Sequence, residues 1–444
     1  MQDILRQMIV DSLAAPVPAF TRRDAHLPEV PGKALAVIGM RRSGKTTYLW
    51  QVMADRLSKG APREAQLYLN FEDDRLLDLD VSGLHWLLEE YFRLQPGFRD
   101  NMRVGFFLDE IQVVTGWETF ARRIMDTEKV DLFLSGSSAK LLSREVATSM
   151  RGRGMEVLIH PFSFRETLRH AGIEPDKPWR SLGKALRSNM DHHLRAYLVK
   201  GGFPEVQGIS DKDRMGLLRI YVDVAVLRDV IERHGISNPV ALRWLQRHLL
   251  ANPGALFSVQ KFHATLRSQG LTVGKESLYA FLGHLEDTFL IRTVSIHAGS
   301  ERKRMVNPRK AYPVDPGLIP VYERTGKTNL GHALETVVLI ELERRGCQAD
   351  YYRTADGFEV DFITRDSLGK WALIQVCLDI SDPSTRDREV RALLAAHQEF
   401  PEASPILLTL DSVPPNFDLP EPLKWQAASD WLLGGERAEK YKQE

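Results

Sequence analysis

The residues best suited to chemistry form one short run, Gly39–Thr46 (GMRRSGKT), which fits the pattern G-x-x-x-x-G-K-[ST] at every fixed position. The run follows the apolar stretch ALAVI and precedes a helical pattern, as a phosphate-binding loop requires. Its glycines let backbone N–H groups turn towards phosphate oxygens, and the start of the helix adds positive partial charge. Lys45 would reach the β- and γ-phosphates of a nucleoside triphosphate. The run therefore predicts a P-loop.

The two threonines that follow the lysine extend this site. The hydroxyl of Thr46 is the type of oxygen that ligates Mg²⁺ beside a bound triphosphate, and Thr47 would cap the helix or contact the α-phosphate. The alternative is a strand–helix turn that matches by chance, and the register of strand, loop and helix argues against it. We therefore predict ATP and Mg²⁺ as ligands, with Gly39, Met40, Arg41, Arg42, Ser43, Gly44, Lys45, Thr46 and Thr47 as the binding residues.

A second candidate element, VGFFLDEIQ, ends an apolar stretch with the acids Asp109 and Glu110. Asp109 would hold the Mg²⁺ ion through water, and Glu110 would be the general base that polarises the attacking water. A hydrophobic run followed by two acids is common by chance. Its value here lies in the pairing with the P-loop at a normal distance along the chain, which predicts hydrolysis of ATP rather than phosphoryl transfer to another acceptor.

Two positions further along the chain are candidates to complete the site. The stretch SGSS ends a predicted strand, and we favour Ser137 or Ser138 as a sensor of the γ-phosphate or the attacking water, with a helix N-cap as the alternative. Arg153, in MRGRG, has the position of an arginine finger that stabilises transferred charge, in its own chain or in a neighbouring copy. A solvated basic turn is the alternative for Arg153.

Short apolar stretches that alternate with helical patterns must position these residues. This alternation is typical of a buried parallel sheet in an α/β protein. Strands are predicted at Ala34–Gly39, Gln66–Asn70, Arg103–Asp109, Val130–Ser135 and Glu156–His160, and helices at Thr46–Leu57, Leu84–Arg93 and Trp117–Thr127.

After Ser163 the pattern changes to helices and later becomes mixed. Arg219–His234 predicts one amphipathic helix, and Val259–Gln269 with Val273–Asp287 has the spacing of a helix-turn-helix. A strand at Leu290–Ile296 precedes a basic turn. The last part predicts helices at His332–Arg345 and Arg386–Glu399 and strands at Asp350–Arg353, Glu359–Thr364, Trp371–Val376 and Ile406–Thr409.

Composition excludes few functions. Lys and Arg together number 59, as do Asp and Glu, so net charge does not indicate nucleic acid and only local basic patches can. Two cysteines, Cys347 and Cys377, are too few for a disulfide framework. No apolar run is long enough to cross a bilayer, and the charged N-terminus lacks the apolar core of a signal peptide. We therefore expect a cytoplasmic protein without membrane contact.

Several stretches resemble a known prokaryotic family of AAA ATPases whose members carry a C-terminal domain known as DUF4143. They are the P-loop, LDEIQVVTGWE, LSGSSAKLLS, RGRGMEVLIHPFSFRETL and YLVKGGFPEV, followed by NPRKAYPVDPGL, LETVVLIELERRG, YYRTADGFEVDFI and LIQVCLDISDPSTRDREVRALL. The resemblance covers nearly the whole chain. It implies an additional-strand, AAA+-like P-loop fold with sheet order five-one-four-three-two, a winged-helix-like middle and a C-terminal domain similar to the PD-(D/E)XK nucleases.

The nuclease fold needs a carboxylate on a helix, an aspartate at a strand end, and an acid-x-lysine on the next strand, where the acids bind Mg²⁺. Glu335 matches the first of these, Asp361 the second, and Gln375 the acid of the third. Cys377 stands where the lysine is required. We therefore favour a vestigial nuclease site with a structural or DNA-holding role. A buried polar network of Glu335 and Asp361 with Arg353 is the alternative.

The middle of the chain also carries a candidate nucleic-acid surface. The predicted turn at 301–304, taken with Arg309 and Lys310, has five basic residues and one acid, which suits contact with phosphates. The predicted recognition helix adds Lys275, Ser277, Tyr279 and His284. Winged helices also serve as protein contacts, so double-stranded DNA and a protein are both candidate partners.

Four segments are predicted: a P-loop ATPase domain at 1–165 with its core at 33–161, a helical lid and winged-helix-like domain at 166–305, a DUF4143-type nuclease-like domain at 306–434, and a polar tail at 435–444. The leading hypothesis is a Mg²⁺-dependent ATPase whose cycle moves the later segments on DNA or a protein. A nucleotide-gated switch with little turnover is the alternative, and an ATP-dependent nuclease is the third hypothesis. A homo-oligomer is the arrangement in which Arg153 would serve a neighbouring copy.

Overall fold

A computed structural model describes residues 1–136, 152–323, 326, 329–415 and 418–434. The chain divides between His160 and Pro161 into two units. Among the described residues, no helix is long and apolar enough to cross a membrane. The segments predicted as a middle and a C-terminal domain both lie in the second unit.

The first unit is built on a parallel five-stranded sheet with the order β2-β3-β4-β1-β5. The order five-one-four-three-two that the family resemblance implies is therefore confirmed. The strands are β1 (Ala34–Ile38), β2 (Gln66–Asn70), β3 (Val104–Asp109), β4 (Val130–Gly136) and β5 (Gly154–Leu158). The helices are α1 (Gln2–Ala14), α2 (Lys45–Ser58), α3 (Val81–Leu94) and α4 (Trp117–Thr127).

Burial explains the apolar character of these strands. Every residue of β1 and β3 is buried, as in a sheet that is covered by other elements on both faces. On one face, Val37, Phe107 and Phe133 pack against Leu49 and Val52 of α2. Because the strands are parallel, their carboxyl ends lie at one edge, where ligands of open α/β sheets bind. The P-loop follows β1 at that edge, and Asp109 and Ser135 lie at the carboxyl ends of β3 and β4.

The second unit begins with helices and a small antiparallel sheet of order β6-β8-β7. Its strands are β6 (Leu256–Phe257), β7 (Ile291–Val294) and β8 (Arg309–Pro313). Before β8, the helices are α5 (Phe164–His170), α6 (Lys184–Lys200), α7 (Asp211–Val224), α8 (Pro239–Ala251), α9 (Val259–Ser268), α10 (Lys275–Asp287) and α11 (Glu301–Val306), and after it comes α12 (Ile319–Tyr322).

A mixed five-stranded sheet of order β13-β12-β11-β10-β9 forms the rest of the second unit. β9 (Gln348–Arg353), β10 (Glu359–Arg365) and β11 (Trp371–Cys377) are antiparallel, whereas β12 (Ser404–Thr409) and β13 (Lys424–Ala427) run parallel to β11. Residues that alternate along the strands belong to two cores, one with α13 (Leu330–Arg344) and one with α14 (Pro383–Glu399). The last described helix is α15 (Ala428–Leu433).

Two local predictions need correction. The basic turn predicted at 301–304 is the short helix α11, because its residues include no glycine or proline and most are long unbranched side chains that favour helix. The single helix predicted at Arg219–His234 consists of the end of α7 and a π-helical segment, Ala225–Glu232. Helices are confirmed at both positions of the predicted helix-turn-helix, as α9 and α10.

Candidate nucleotide-binding site

The P-loop connects β1 to α2 through two glycines that no other residue replaces without strain. A Cβ atom on Gly39 would lie 2.2 Å from the carbonyl oxygen of Ile159, and the φ angle there is +149°. Gly44 has a left-handed φ of 100° at the N-cap of α2. The backbone turn that the sequence predicts is therefore built, with the N-terminus of α2 behind it.

The lysine of this loop points back along it. The Nζ atom of Lys45 lies 3.2 Å from the carbonyl oxygens of Gly39 and Met40. Ser43 is fully buried beneath the loop, whereas the side chains of Thr46 and Thr47 are exposed. The loop thus presents the hydroxyls of Thr46 and Thr47 to solvent. This is the arrangement that phosphate binding requires.

Arg23 supports the loop from a segment without helix or strand. Its guanidinium donates to the carbonyl oxygens of Ser43, at 2.9 Å, and His160, at 2.5 Å. Its backbone N–H donates to Oε1 of Gln51 in α2 at 2.7 Å. Sequence reasoning missed Arg23, because a buried arginine twenty positions before Ser43 follows no periodic pattern.

Asp109 lies at the end of β3 and accepts hydrogen bonds from three hydroxyls. Thr46 Oγ1 and the phenol oxygen of Tyr68 are each 2.8 Å from Oδ2, and Ser135 Oγ donates to Oδ1. Burial raises the pKa of Asp109, and these hydrogen bonds only partly oppose that effect. Burial, with the Asp109 carboxylate beside it, raises the pKa of the Tyr68 phenol. A divalent cation at Thr46 and Asp109 would favour the ionised carboxylate.

Glu110 follows Asp109 with a backbone that is unusual for a side chain of its size. Its φ is +54°, in the left-handed region. Its N–H donates to Ser135 Oγ at 3.1 Å, and its carboxylate accepts a hydrogen bond from Gln112 Nε2. Ser135 thus holds both acids of the pair at the strand end. The sequence interpretation did not include Ser135, the first residue of SGSS, among the site residues.

The remaining predicted residues lie apart from this group. Ser137, with Ser138, lies outside the described residues, so the sensor stays a prediction. Arg153 directly precedes β5; its carbonyl oxygen accepts the N–H of Ala34 at 2.8 Å, and its guanidinium pairs with Asp126. Ala34 begins β1, whereas the P-loop follows the carboxyl end of that strand. Arg153 therefore lies at the opposite end of the strands from the P-loop. Within its own chain, it is not brought to the P-loop.

A second group of chemically capable side chains lies in the second unit, around Lys310 of β8. Lys310 Nζ is 2.9 Å from Glu359 Oε1 and 3.1 Å from Asp361 Oδ1. The phenol of Tyr312 donates to Glu335 Oε2 at 3.1 Å. Burial alone would lower the pKa of Lys310, but the three carboxylates around it raise that pKa. Burial and the Asp361 charge raise the pKa of Glu335 to about 8.

The predicted nuclease residues therefore come together, with partners that the sequence interpretation did not name. Gln375 accepts the N–H of Asp361 at 3.2 Å and donates to Glu389 at 2.7 Å, and burial raises the pKa of Cys377 to about 12. The predicted network of Glu335 and Asp361 with Arg353 is wrong about the basic residue. Arg353 is half-exposed, and its Nη2 lies 4.0 Å from Oε2 of Glu359. Lys310 takes that role because β8 carries it into the cluster.

The cluster opens onto a cleft of about 700 Å³ that is lined by Glu335, Glu359, Asp361, Gln375, Asp379 and Arg388, among others. In the part of the chain that the structure describes, no three His, Cys, Asp or Glu side chains are placed to hold a metal ion. The metal site of a PD-(D/E)XK nuclease therefore does not fit this cluster as it stands.

A parallel sheet of this order, with a P-loop after β1 and an acid pair after β3, defines an AAA-type P-loop ATPase domain. A family model described as "AAA domain" matches residues 31–168, and one described as "Domain of unknown function (DUF8612)" matches 191–328. The chain belongs to the family of the uncharacterized protein MJ1544 of Methanocaldococcus jannaschii. The two are 30% identical over 394 residues, which cover 88% of this chain and 84% of that protein.

Two further proteins are similar to this chain over most of its length. An uncharacterized protein of Haemophilus influenzae is 29% identical over 347 residues, which cover 78% of this chain and 82% of that protein. Among solved structures, the Walker-type ATPase of Pyrococcus abyssi is 14% identical with a TM-score of 0.40, over 72% of this chain and 95% of that one.

Proposed function

We propose that the chain is a Mg²⁺-dependent ATPase that hydrolyses ATP to ADP and phosphate. The observation that carries this proposal is the 2.8 Å contact between Thr46 Oγ1 and Asp109 Oδ2, which joins the P-loop to the acid pair. A hydroxyl and a buried carboxylate at this position are the oxygen donors of a P-loop magnesium site. Thr46 and Asp109 would hold Mg²⁺ there, and the ion would offset the charge of the phosphates.

Each residue then has a defined role. The P-loop N–H groups and Lys45 bind and orient the phosphates, and Asp109 and Thr46 hold the metal. Glu110 accepts a proton from water as the water oxygen attacks the γ-phosphorus. The bond from that phosphorus to the β–γ bridging oxygen breaks, and its electrons leave with ADP. The Ser135 hydroxyl keeps both acids in place, because it donates to Asp109 and accepts the backbone N–H of Glu110.

ATP turnover with two variants tests this function. Lys45→Ala should abolish ATP binding and turnover, whereas Glu110→Gln should retain binding and lose turnover by about 100-fold or more, the effect of a general base. Lys59→Ala is the matched control, because this exposed lysine lies at the other end of α2, away from the P-loop. Full hydrolysis by Lys45→Ala would contradict the proposal.

A nucleotide-gated switch with little turnover is the second candidate. The contact that favours it is the hydrogen bond from Gln112 to the Glu110 carboxylate, because a base engaged in this way polarises water less well. On this alternative, partner binding depends on ATP and is unchanged in Glu110→Gln. Loss of partner binding in Glu110→Gln alone would favour the turnover mechanism.

We also propose that the ATP cycle acts on DNA through the second unit. On α10, the side chains of Lys275, Ser277 and Tyr279 are exposed, and Arg302 and Lys303 of α11 are exposed between β7 and β8. His284 differs, because it stacks on His234 with ring centroids 3.8 Å apart and is partly buried. A helix followed by a basic hairpin suits groove and phosphate contact, respectively.

Anisotropy of a labelled double-stranded oligonucleotide over a salt series tests this part. Replacing Arg302 and Lys303 by alanine should lower the salt dependence of log K by about 2, since each phosphate contact adds about 0.9 to the slope. Exposed Lys184 provides the matched control. Identical slopes in all three proteins would point to a protein partner.

For the C-terminal sheet with α13, we propose a nuclease-like fold of the DUF4143 type whose site is a relic. Glu335, Asp361 and Gln375 lie together as that fold requires, and Cys377 stands in place of its lysine. Plasmid DNA should stay intact with Mg²⁺ or Mn²⁺. Cleavage that is lost in Asp361→Ala would establish an active nuclease instead.

A further inference from the structure

We propose that Lys310 is the resident cation of the carboxylate cluster in the second unit, which takes a divalent metal ion only when this lysine is removed. In place of a metal, the lysine joins the three-stranded sheet to the mixed sheet. The proposal concerns a site other than the nucleotide site and does not depend on ATP hydrolysis.

The geometry places the ammonium where a metal ion would need to be. The side chain of Lys310 is 4% exposed, and its Nζ contacts one oxygen of Glu359 and one of Asp361, at 2.9 and 3.1 Å. A cation bound by these oxygens would use the same lone pairs. Lys310 and a metal ion therefore exclude each other.

Two other oxygens of the cluster also have donors. Oδ2 of Asp361 accepts the N–H of Val376 at 3.0 Å, and Oε2 of Glu335 accepts the phenol of Tyr312. The acids are thus held by an ammonium, a backbone N–H and a phenol. This matches the finding that no three acid, histidine or cysteine side chains in the described residues are placed to bind a metal.

Removal of Lys310 would change the charge balance sharply. Glu335, Glu359 and Asp361 would then share a largely buried site without their ammonium, an arrangement in which unpaired charges are costly. The adjoining cleft of about 700 Å³ reaches all three carboxylates and gives an ion access. Oxygen donors of this kind are the preferred ligands of Mn²⁺ and Mg²⁺.

The lysine also has a structural consequence. Lys310 belongs to β8, whereas Glu359 and Asp361 belong to β10 of the other sheet. Because a buried ammonium cannot leave its carboxylates without a large desolvation cost, the two sheets are held in one arrangement. A metal ion alone would provide no such link, since its ligands lie on α13 and β10 only.

Mn²⁺ titration followed by electron paramagnetic resonance tests the proposal. All proteins are full-length, free of nucleotide, and carry Asp109→Asn so that the first unit does not contribute. The protein with Lys310 should bind no Mn²⁺ at this site. Lys310→Met should gain one bound Mn²⁺, with an affinity at least tenfold higher than that of any residual binding by the protein with Lys310. Adding Asp361→Asn to Lys310→Met should remove the gain, and Lys370→Met, at an exposed lysine, is the matched control.

Two results would overturn the proposal. One is Mn²⁺ binding by the protein with Lys310 that Asp361→Asn abolishes, which would make the cluster a metal site as it stands. The other is no gain of Mn²⁺ in Lys310→Met. Should Lys310→Met not fold, Lys310→Gln replaces it, because the amide keeps a hydrogen-bond donor for Glu359 and Asp361 while the ammonium is removed and all three carboxylates are retained. No Mn²⁺ gain in that variant overturns the proposal equally.

Discussion

Each of the two units of this protein contains a buried lysine and buried acids, and the contacts around them differ. In the first, Lys45 contacts backbone carbonyls, and the acid Asp109 is contacted by hydroxyls. In the second, the ammonium of Lys310 is in direct contact with Glu359 and Asp361. A carboxylate held by neutral hydroxyls still attracts a cation, whereas one that is paired with an ammonium is already neutralised. The comparison separates the proposed Mg²⁺ site from a cluster whose acids are paired with an ammonium of the chain itself.

The largest expected difference between the two lysines is in stability. Lys310→Met should lower the free energy of unfolding of the second unit by about 3–5 kcal/mol, because it leaves buried carboxylates uncompensated. Lys45→Met should change the free energy of unfolding of the first unit by less than about 1 kcal/mol, because the backbone carbonyls of Gly39 and Met40 that its ammonium contacts carry no net charge to be left uncompensated. Urea unfolding measures both, and equal losses would break the comparison.

Asp109 and Asp361 should differ in their effect on ATP turnover. Asp109→Asn should lower Mg²⁺-dependent ATP turnover by about 100-fold or more, about 2.7 kcal/mol, because it removes the charge that holds the metal. Asp361→Asn should leave turnover within about twofold, since Asp361 lies in the other unit. Steady-state release of phosphate at saturating ATP checks both. Equal losses in the two variants would connect the second cluster to hydrolysis.

Stability of the second unit should depend on pH through Glu335. Its pKa is raised to about 8 in the folded chain, so folding favours the protonated acid. The free energy of unfolding should therefore fall as pH rises from the unfolded pKa towards that value, by roughly 1–3 kcal/mol, and Glu335→Gln should flatten the profile. Burial also raises the pKa of Asp315, to about 6, so this residue contributes to the pH dependence at lower pH. Stability should therefore be compared above about pH 7, where Asp315 is ionised. Identical profiles above that pH would contradict the assignment.

The smallest expected effects come from the phenols that contact the acids. Tyr68→Phe removes one of the three hydroxyls on Asp109 and should raise the Mg²⁺ concentration for half-maximal turnover by about fivefold, about 1 kcal/mol. Tyr312→Phe should lower stability by about 1 kcal/mol without any effect on Mg²⁺. A magnesium titration on both proteins makes the comparison, and a metal effect in Tyr312→Phe would count against it.

Local patterns were sufficient for the framework of the first unit. The apolar stretches that end at Ile38, Asp109 and Gly136 are buried strands, and the glycines of the P-loop have the positive φ angles that the motif requires. Strand order followed from the family resemblance, because periodicity alone does not say which strands are neighbours. For the same reason, alternation could not assign the two cores of the mixed sheet.

Contacts between residues far apart in the chain could not be predicted from the sequence. Lys310 and Asp361 are 51 positions apart, and Lys310 belongs to a stretch that looked like part of a basic nucleic-acid surface. Its burial follows from the position of β8 beside the mixed sheet, which no periodic pattern encodes. Tyr68 and Arg23 were missed in the same way. Each is a polar residue whose role depends on a tertiary partner.

The left-handed backbone of Glu110 has a consequence for how this protein could change over time. A side chain larger than glycine or asparagine costs about 1–2 kcal/mol in that conformation. Glycine at this position would therefore make the first unit more stable while removing the proposed base. Selection for thermal robustness and selection for turnover act in opposite directions at this one residue, so a relative that has lost the need to hydrolyse ATP is expected to lose the glutamate early.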